Sequence, residues 1–135
     1  VSSAGARGLM QLMPATAKSI SKSAGVRFSP YRLTSDPDYN LILGQTYLAS
    51  MLVDFGGSLP LAIAAYNAGP HRVRQWIRDN GDPRQKDIDA IDWVEMIPFT
   101  ETRNYVQRVL ENLQVYRARL AGTEVALGLA EDLQK

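Results

Sequence analysis

The sequence predicts an all-α fold, and three observations carry that prediction. Apolar residues recur at helical spacings of three and four along the longest segments. No segment alternates with period two for long enough to build a sheet. Pro and Gly stand where helices would begin and end. With 135 residues, 45% of them hydrophobic, the chain is long enough for one domain with a sizeable core, and no internal repeat is visible.

Each element follows from local signals. Leu9, Met10, Leu12 and Met13 form an apolar cluster before Pro14, a residue suited to a first helical turn. A helix is predicted over residues 14–24, stopped by Gly25, and residues 26–35 read as a loop. Asp36 followed by Pro37 signals a long helix whose apolar face is Tyr39, Ile42, Leu43, Tyr47, Met51 and Phe55. The stretch "FGGS" ends it and offers Ser58 as the cap of the next helix, the buried run "LPLAIAAY". Gly69 in the left-handed conformation closes that helix, and Pro70 opens another, built around Val73, Trp76 and Ile77. The polar stretch "NGDPRQKD" reads as a mobile loop, and a short helical turn covers residues 91–96 before Pro98. Thr100 is the predicted cap of a final helix whose face is Tyr105, Val106, Val109, Leu110, Leu113, Tyr116 and Leu120. The layout is one domain over residues 1–120 and an appended helix or tail over residues 121–135.

Composition removes several function classes. The net charge of +1 comes from 15 basic and 14 acidic residues mixed along the chain, so no basic field argues for nucleic acid. Without cysteine there is no disulfide or thiolate nucleophile, and a single histidine rules out a His-rich metal site. The longest apolar stretch is far below the roughly 20 residues that span a bilayer. Val1 is not an initiator residue and the opening "VSSAGARG" is turn-like, so the expectation is that further sequence precedes it.

Three stretches are richer than packing requires: "GARGLMQLMP" over residues 5–14, "AAYNAGP" over residues 64–70, and "WVEMIPFTETRNYV" over residues 93–106. In order and spacing they resemble the motifs of the soluble lytic transglycosylase catalytic domain, the lysozyme-like enzymes that cleave bacterial peptidoglycan. The resemblance runs over residues 2–120 and implies a lysozyme-like α-helical domain. The family's Glu-Ser pair, which carries the catalytic acid, is absent from these residues, so the resemblance places the general acid upstream of Val1 and makes the 135 residues an N-terminally truncated, inactive form of the domain.

The other roles implied by the resemblance fall on named positions. Ser2 lies near the acid, Gln11 lines the cleft beside it, and Met10 and Met13 supply apolar contacts to the sugar faces. Tyr66 directs its hydroxyl at the N-acetyl group of the muramic acid, Asn67 ties neighbouring backbone or reaches the substrate, and Glu101 accepts hydrogen bonds across the cleft. One carboxyl group suffices where the substrate's acetamido oxygen acts as nucleophile. No metal or cofactor is required. The implied partners are peptidoglycan glycan strands, with other envelope proteins as further candidates and no nucleic acid. The implied setting is the periplasm or cell envelope of a bacterium, as a monomer.

Blander readings stand beside these. Tyr66 reads equally as a core tyrosine, Asn67 as a residue before a helix-ending glycine, Met10 and Met13 as gap-fillers, Gln11 as a surface polar group, and Glu101 as a carboxylate favoured in a first helical turn. His71 is expected on the surface, and Arg72 and Arg74 are expected to be solvated. Two rival functions share the pattern: a lysozyme-type hydrolase in which water completes the reaction, and a non-catalytic peptidoglycan-binding module that lacks the acid.

Overall fold

The computed structural model describes residues 5–8 and 10–121. Ser2, Leu9 and the tail expected beyond Ala121 lie outside the described residues. Seven helices occur among those described, with no strand, only a single backbone bridge between Arg7 and Leu12. The predominantly α-helical class is therefore as the periodicity predicts. The chain divides into two compact units, Val1–Ser50 and Met51–Lys135.

In the first unit, α1 (Pro14–Ala24) begins on its proline and ends at Gly25, whose φ of +71° is left-handed. Two backbone bonds close its C-terminus, from Gly25 N–H to Lys22 and from Val26 N–H to Ser21. Residues 26–35 are not loop throughout, because α2 (Arg32–Ser35) forms there. Its cause is tertiary: Leu33 is fully buried, whereas the Arg32–Asp36 ion pair at 2.7 Å is largely exposed and contributes little. The rest of that segment hangs on Tyr39, whose hydroxyl donates to the Arg27 carbonyl at 2.9 Å and accepts the Ser29 N–H at 2.8 Å.

Asp36 caps α3 (Pro37–Asp54) as its sequence position predicts, accepting the Tyr39 N–H at 3.2 Å. The Arg32 guanidinium, and after it that N–H, hold the Asp36 carboxyl below the usual carboxylate range. The buried face of α3 differs from the predicted one. Ile42 is 44% exposed, and Asn40 and Gly44 turn inward beside Tyr39 and Leu43. Apolar residues surround this helix on most sides, so their pattern alone does not orient it.

In the second unit, Met51 and Phe55 are buried before Gly56 and Gly57 turn the chain. Ser58 caps α4 (Leu59–Ala68) by accepting the Leu61 N–H at 3.5 Å. The run from Pro60 through Ala65 is buried, and small alanines let α4 pack closely against α5 and α7. Gly69 has φ +96° and ψ 145°, a conformation open to glycine but outside the left-handed helical region expected for it. Pro70 then starts α5 (Pro70–Asn80), which buries Val73 and Trp76.

Arg72 and Arg74 are not simply solvated. Their guanidinium groups lie over the rings of Phe99 and Phe55, at 4.6 and 5.4 Å. His71 is exposed, as expected. The polar loop after Gly81 carries its own anchors: Pro83 is buried, and Asp82 accepts both the backbone N–H and the guanidinium of Arg84. Asp89 caps α6 (Ala90–Glu95) through the N–H groups of Ile91 and Asp92, and α6 packs on α7 (Thr100–Ala121). The Phe99 carbonyl already accepts the Arg103 N–H, so Thr100 is a residue inside α7 rather than its cap. Thr102, Val106 and Leu110 form the buried face of α7, whereas the expected face residues Tyr116 and Leu120 are 60% and 70% exposed.

Candidate functional site

Met10, Gln11 and Met13 belong to the first unit, and Tyr66, Asn67 and Glu101 to the second. Within the first, residues 7–8 and 10–12 belong to a tight hairpin. Arg7 and Leu12 exchange backbone hydrogen bonds at 2.8 and 2.9 Å, and the Gly8 carbonyl accepts the Gln11 N–H at 3.0 Å. Gln11 closes this turn with φ +51°, unusual for a residue other than glycine. Its side chain folds back, and Nε2 donates to the Gly8 carbonyl at 2.8 Å. The amide nitrogen is thereby engaged within its own turn, and the residue as a whole is exposed.

The hairpin is held from below by Asn40, a residue that the motif reading missed. This side chain is fully buried; its Oδ1 accepts the Met10 N–H at 2.6 Å, and its Nδ2 donates to the carbonyls of Arg7 and Leu33 at 3.0 and 3.1 Å. Two glycines make the approach possible. A Cβ on Gly8, at φ +76°, would collide with Asn40 and the Leu33 carbonyl. A Cβ on Gly44 would stand 2.5 Å from Met10 Cγ, so the bare backbone of α3 is the surface on which Met10 lies. No local signal marks this asparagine, because the apolar pattern of α3 does not show that Asn40 and Gly44 face inward. Met10 is half-buried by this packing and Met13 remains exposed.

In the second unit the motif "AAYNAGP" occupies the last turn of α4 and the start of α5. Ala64 and Ala65 are fully buried, which leaves Tyr66 half-buried at the edge of the core and Asn67 exposed at the helix end. Among the described residues the Asn67 side chain makes no hydrogen bond to nearby backbone. Its Oδ1 instead accepts the hydroxyl of Thr102 at 2.7 Å, linking the end of α4 to the first turn of α7. Thr102 is 2% exposed and is the second residue the motif reading passed over.

Glu101 is the neighbour of Thr102 and points the other way, into solvent. It lines an open depression of about 380 Å³ along one face of α7 with Asn104, Gln107, Arg108 and Glu111. Arg103 fixes the start of the helix, its guanidinium donating to the Ile97 carbonyl at 3.2 Å and the Thr100 hydroxyl at 3.4 Å. Burial pushes the Tyr105 hydroxyl above its ordinary pKa, partly opposed by Arg108. Among the described residues no group of three or more His, Cys, Asp or Glu side chains is gathered as a metal ion would require. None of their helices is long and apolar enough to cross a membrane.

Comparison with known proteins places this arrangement. The transglycosylase SLT domain family matches residues 1–88, and the soluble lytic transglycosylase helical domain matches residues 96–124. The soluble lytic murein transglycosylase of Escherichia coli K12 is 44% identical over 115 residues, which is 84% of this chain and 17% of that protein. Among solved structures, an inactive glutamate-to-glutamine mutant of the lytic transglycosylase Slt from Pseudomonas aeruginosa superposes with a TM-score of 0.77 at 45% identity, covering 91% of this chain and 19% of its own. The 70-kDa soluble lytic transglycosylase in complex with bulgecin A gives a TM-score of 0.77 at 43% identity, with coverages of 88% and 19%. The chain thus spans less than a fifth of the length of these relatives. On the family match and on the fold, lysozyme-like and α-helical, the chain belongs to the transglycosylase SLT domain family.

Proposed function

We propose that the protein carrying this chain is a lytic transglycosylase of bacterial peptidoglycan. It cleaves the β-1,4 bond between MurNAc and GlcNAc and forms 1,6-anhydro-MurNAc. The observation that carries this reading is the 44% identity, over most of the chain, to a protein named for that activity. The inactivity of a relative that carries glutamine in place of one glutamate supports a mechanism with one essential carboxyl group.

The general acid in this reading is the glutamate that the family resemblance places upstream of Val1. It protonates the leaving glycosidic oxygen as the C1–O bond breaks, and the acetamido oxygen of the substrate closes on C1. The resulting carboxylate then removes the proton from the C6 hydroxyl, whose oxygen displaces the acetamido group from C1. The acid ends as it began, and no water enters. Such an acid holds its proton near neutral pH only in an apolar, partly dry environment.

The remaining residues hold substrate. Tyr66 donates to the acetamido group as the ring closes, and Asn67 and Gln11 bind sugar oxygens. Met10 and Met13 cover apolar sugar faces. Glu101, exposed at the start of α7, accepts from sugar or peptide groups. The substrate is found in the periplasm or cell envelope, where this reading places the protein. In this reading the isolated 135 residues release no anhydro-muropeptides.

Mass spectrometry of the soluble products from purified peptidoglycan tests the reading in the full-length protein. Anhydro-muropeptides are expected. Products with reducing ends would establish a hydrolase of the lysozyme type, and no product at all, with glycan still bound, would establish a binding module.

A further inference from the structure

We propose that Thr102 is a positioning residue that fixes the amide of Asn67 so that its NH2 group, and not its oxygen, is presented to the glycan; this rests on the transglycosylase reading above. A threonine hydroxyl has one hydrogen to donate, and a buried donor without a partner is costly. At 2% exposure Thr102 has no solvent to turn to, and its hydrogen goes to Asn67 Oδ1 at 2.7 Å. That bond decides which end of a planar amide faces inward. With Oδ1 turned to α7, Nδ2 lies on the opposite side of the group, on a residue that is exposed at the end of α4.

The two hydrogens of Nδ2 then form a donor pair for a neutral oxygen, such as an acetamido carbonyl or a sugar hydroxyl. A flipped amide would offer an acceptor and would break the bond from the Thr102 hydroxyl to Asn67 Oδ1. The hydroxyl therefore acts on specificity from the side of the amide remote from the ligand. It also sits beside Glu101 in sequence, so one turn of α7 supplies both an outward carboxylate and the group that orients Asn67.

The test uses the full-length protein and soluble, uncross-linked glycan strands, with KM, kcat and melting temperature measured for each variant. Thr102→Val keeps the shape and removes the hydroxyl; it should raise KM by roughly 5-fold or more, the loss of one neutral hydrogen bond, with kcat changed less than KM. Thr102→Ser should restore KM to within about twofold of wild type. Asn67→Asp retains an oxygen for Thr102 but replaces the outward donor with an acceptor, and should raise KM as much as Thr102→Val does. A Thr102→Val or Asn67→Asp protein with wild-type KM overturns the inference, as does a serine variant no better than valine. If Thr102→Val does not fold, the serine and aspartate variants decide the matter. Wild-type protein that yields no anhydro product defeats the transglycosylase reading instead, an outcome separable from all of these.

Discussion

Asn40 and Asn67 are the same residue used in opposite ways. Asn40 is fully buried, and both of its polar atoms are consumed by three backbone groups of its own unit. Asn67 is exposed and has its oxygen engaged by Thr102. The first, buried with three bonds made, is out of a ligand's reach and acts on function only through the hairpin that it holds. The second keeps an amino group in reserve. A polar side chain in a motif is thus read by how much of its bonding capacity the fold has already used.

The largest effect on stability is expected at the saturated asparagine. Asn40→Ala would remove the bonds that Asn40 makes to the Met10 N–H and the Leu33 carbonyl and one of the two donors to the Arg7 carbonyl, and should cost about 2–5 kcal/mol in a denaturant titration. Asn67→Ala, leaving only the Thr102 hydroxyl unpaired, should cost less; equal costs at the two sites would remove the distinction. On the activity side, Tyr66→Phe in the full-length protein should raise the barrier by about 1–3 kcal/mol through loss of one hydrogen bond to the acetamido group, a larger effect than its loss of stability by thermal melting. Near-normal turnover would return Tyr66 to a packing role.

Smaller effects sharpen the picture. Ser58→Ala removes the cap of α4 and should cost about 1 kcal/mol, read from the shift in melting temperature. Glu101→Gln should weaken glycan binding by calorimetry and leave the fold intact, because its side chain is exposed; unchanged binding would make Glu101 a helix-start carboxylate only. The smallest effect is that of pH. The folded protein holds the Asp36 carboxyl below the usual carboxylate range, through Arg32 first and the Tyr39 N–H second. It holds Asp82 below the same range through Arg84. Both contributions are complete above the unfolded pKa and are lost as pH falls through the depressed folded values. Stability should therefore decline slightly on acidification below about pH 4, and Asp82→Asn should flatten that decline.

Much of the fold was legible because its signals are local. Pro14, Pro37 and Pro70 stand at helix starts, and Asp36 and Ser58 cap through neighbouring N–H groups. What escaped depends on partners distant in sequence. The helix at Arg32–Ser35 forms where Leu33 is buried, and nothing in its four residues announces it. Ile42 was misplaced because Asn40 and Gly44 take the inner face of α3, a choice set by the hairpin some 30 residues earlier. Tyr116 and Leu120 continue the helical period beyond the length over which α7 is buried. The motifs were legible, but two bonds made within them, Asn40 to the Met10 N–H and Thr102 to Asn67, span 30 and 35 residues and leave no local trace.

The central claim, that the protein closes an anhydro ring instead of adding water, is tested most directly by digesting purified peptidoglycan with the full-length protein in water enriched in 18O. The transglycosylase account predicts muropeptide products with anhydro ends that carry no heavy oxygen. Products with reducing ends labelled at C1 would contradict it.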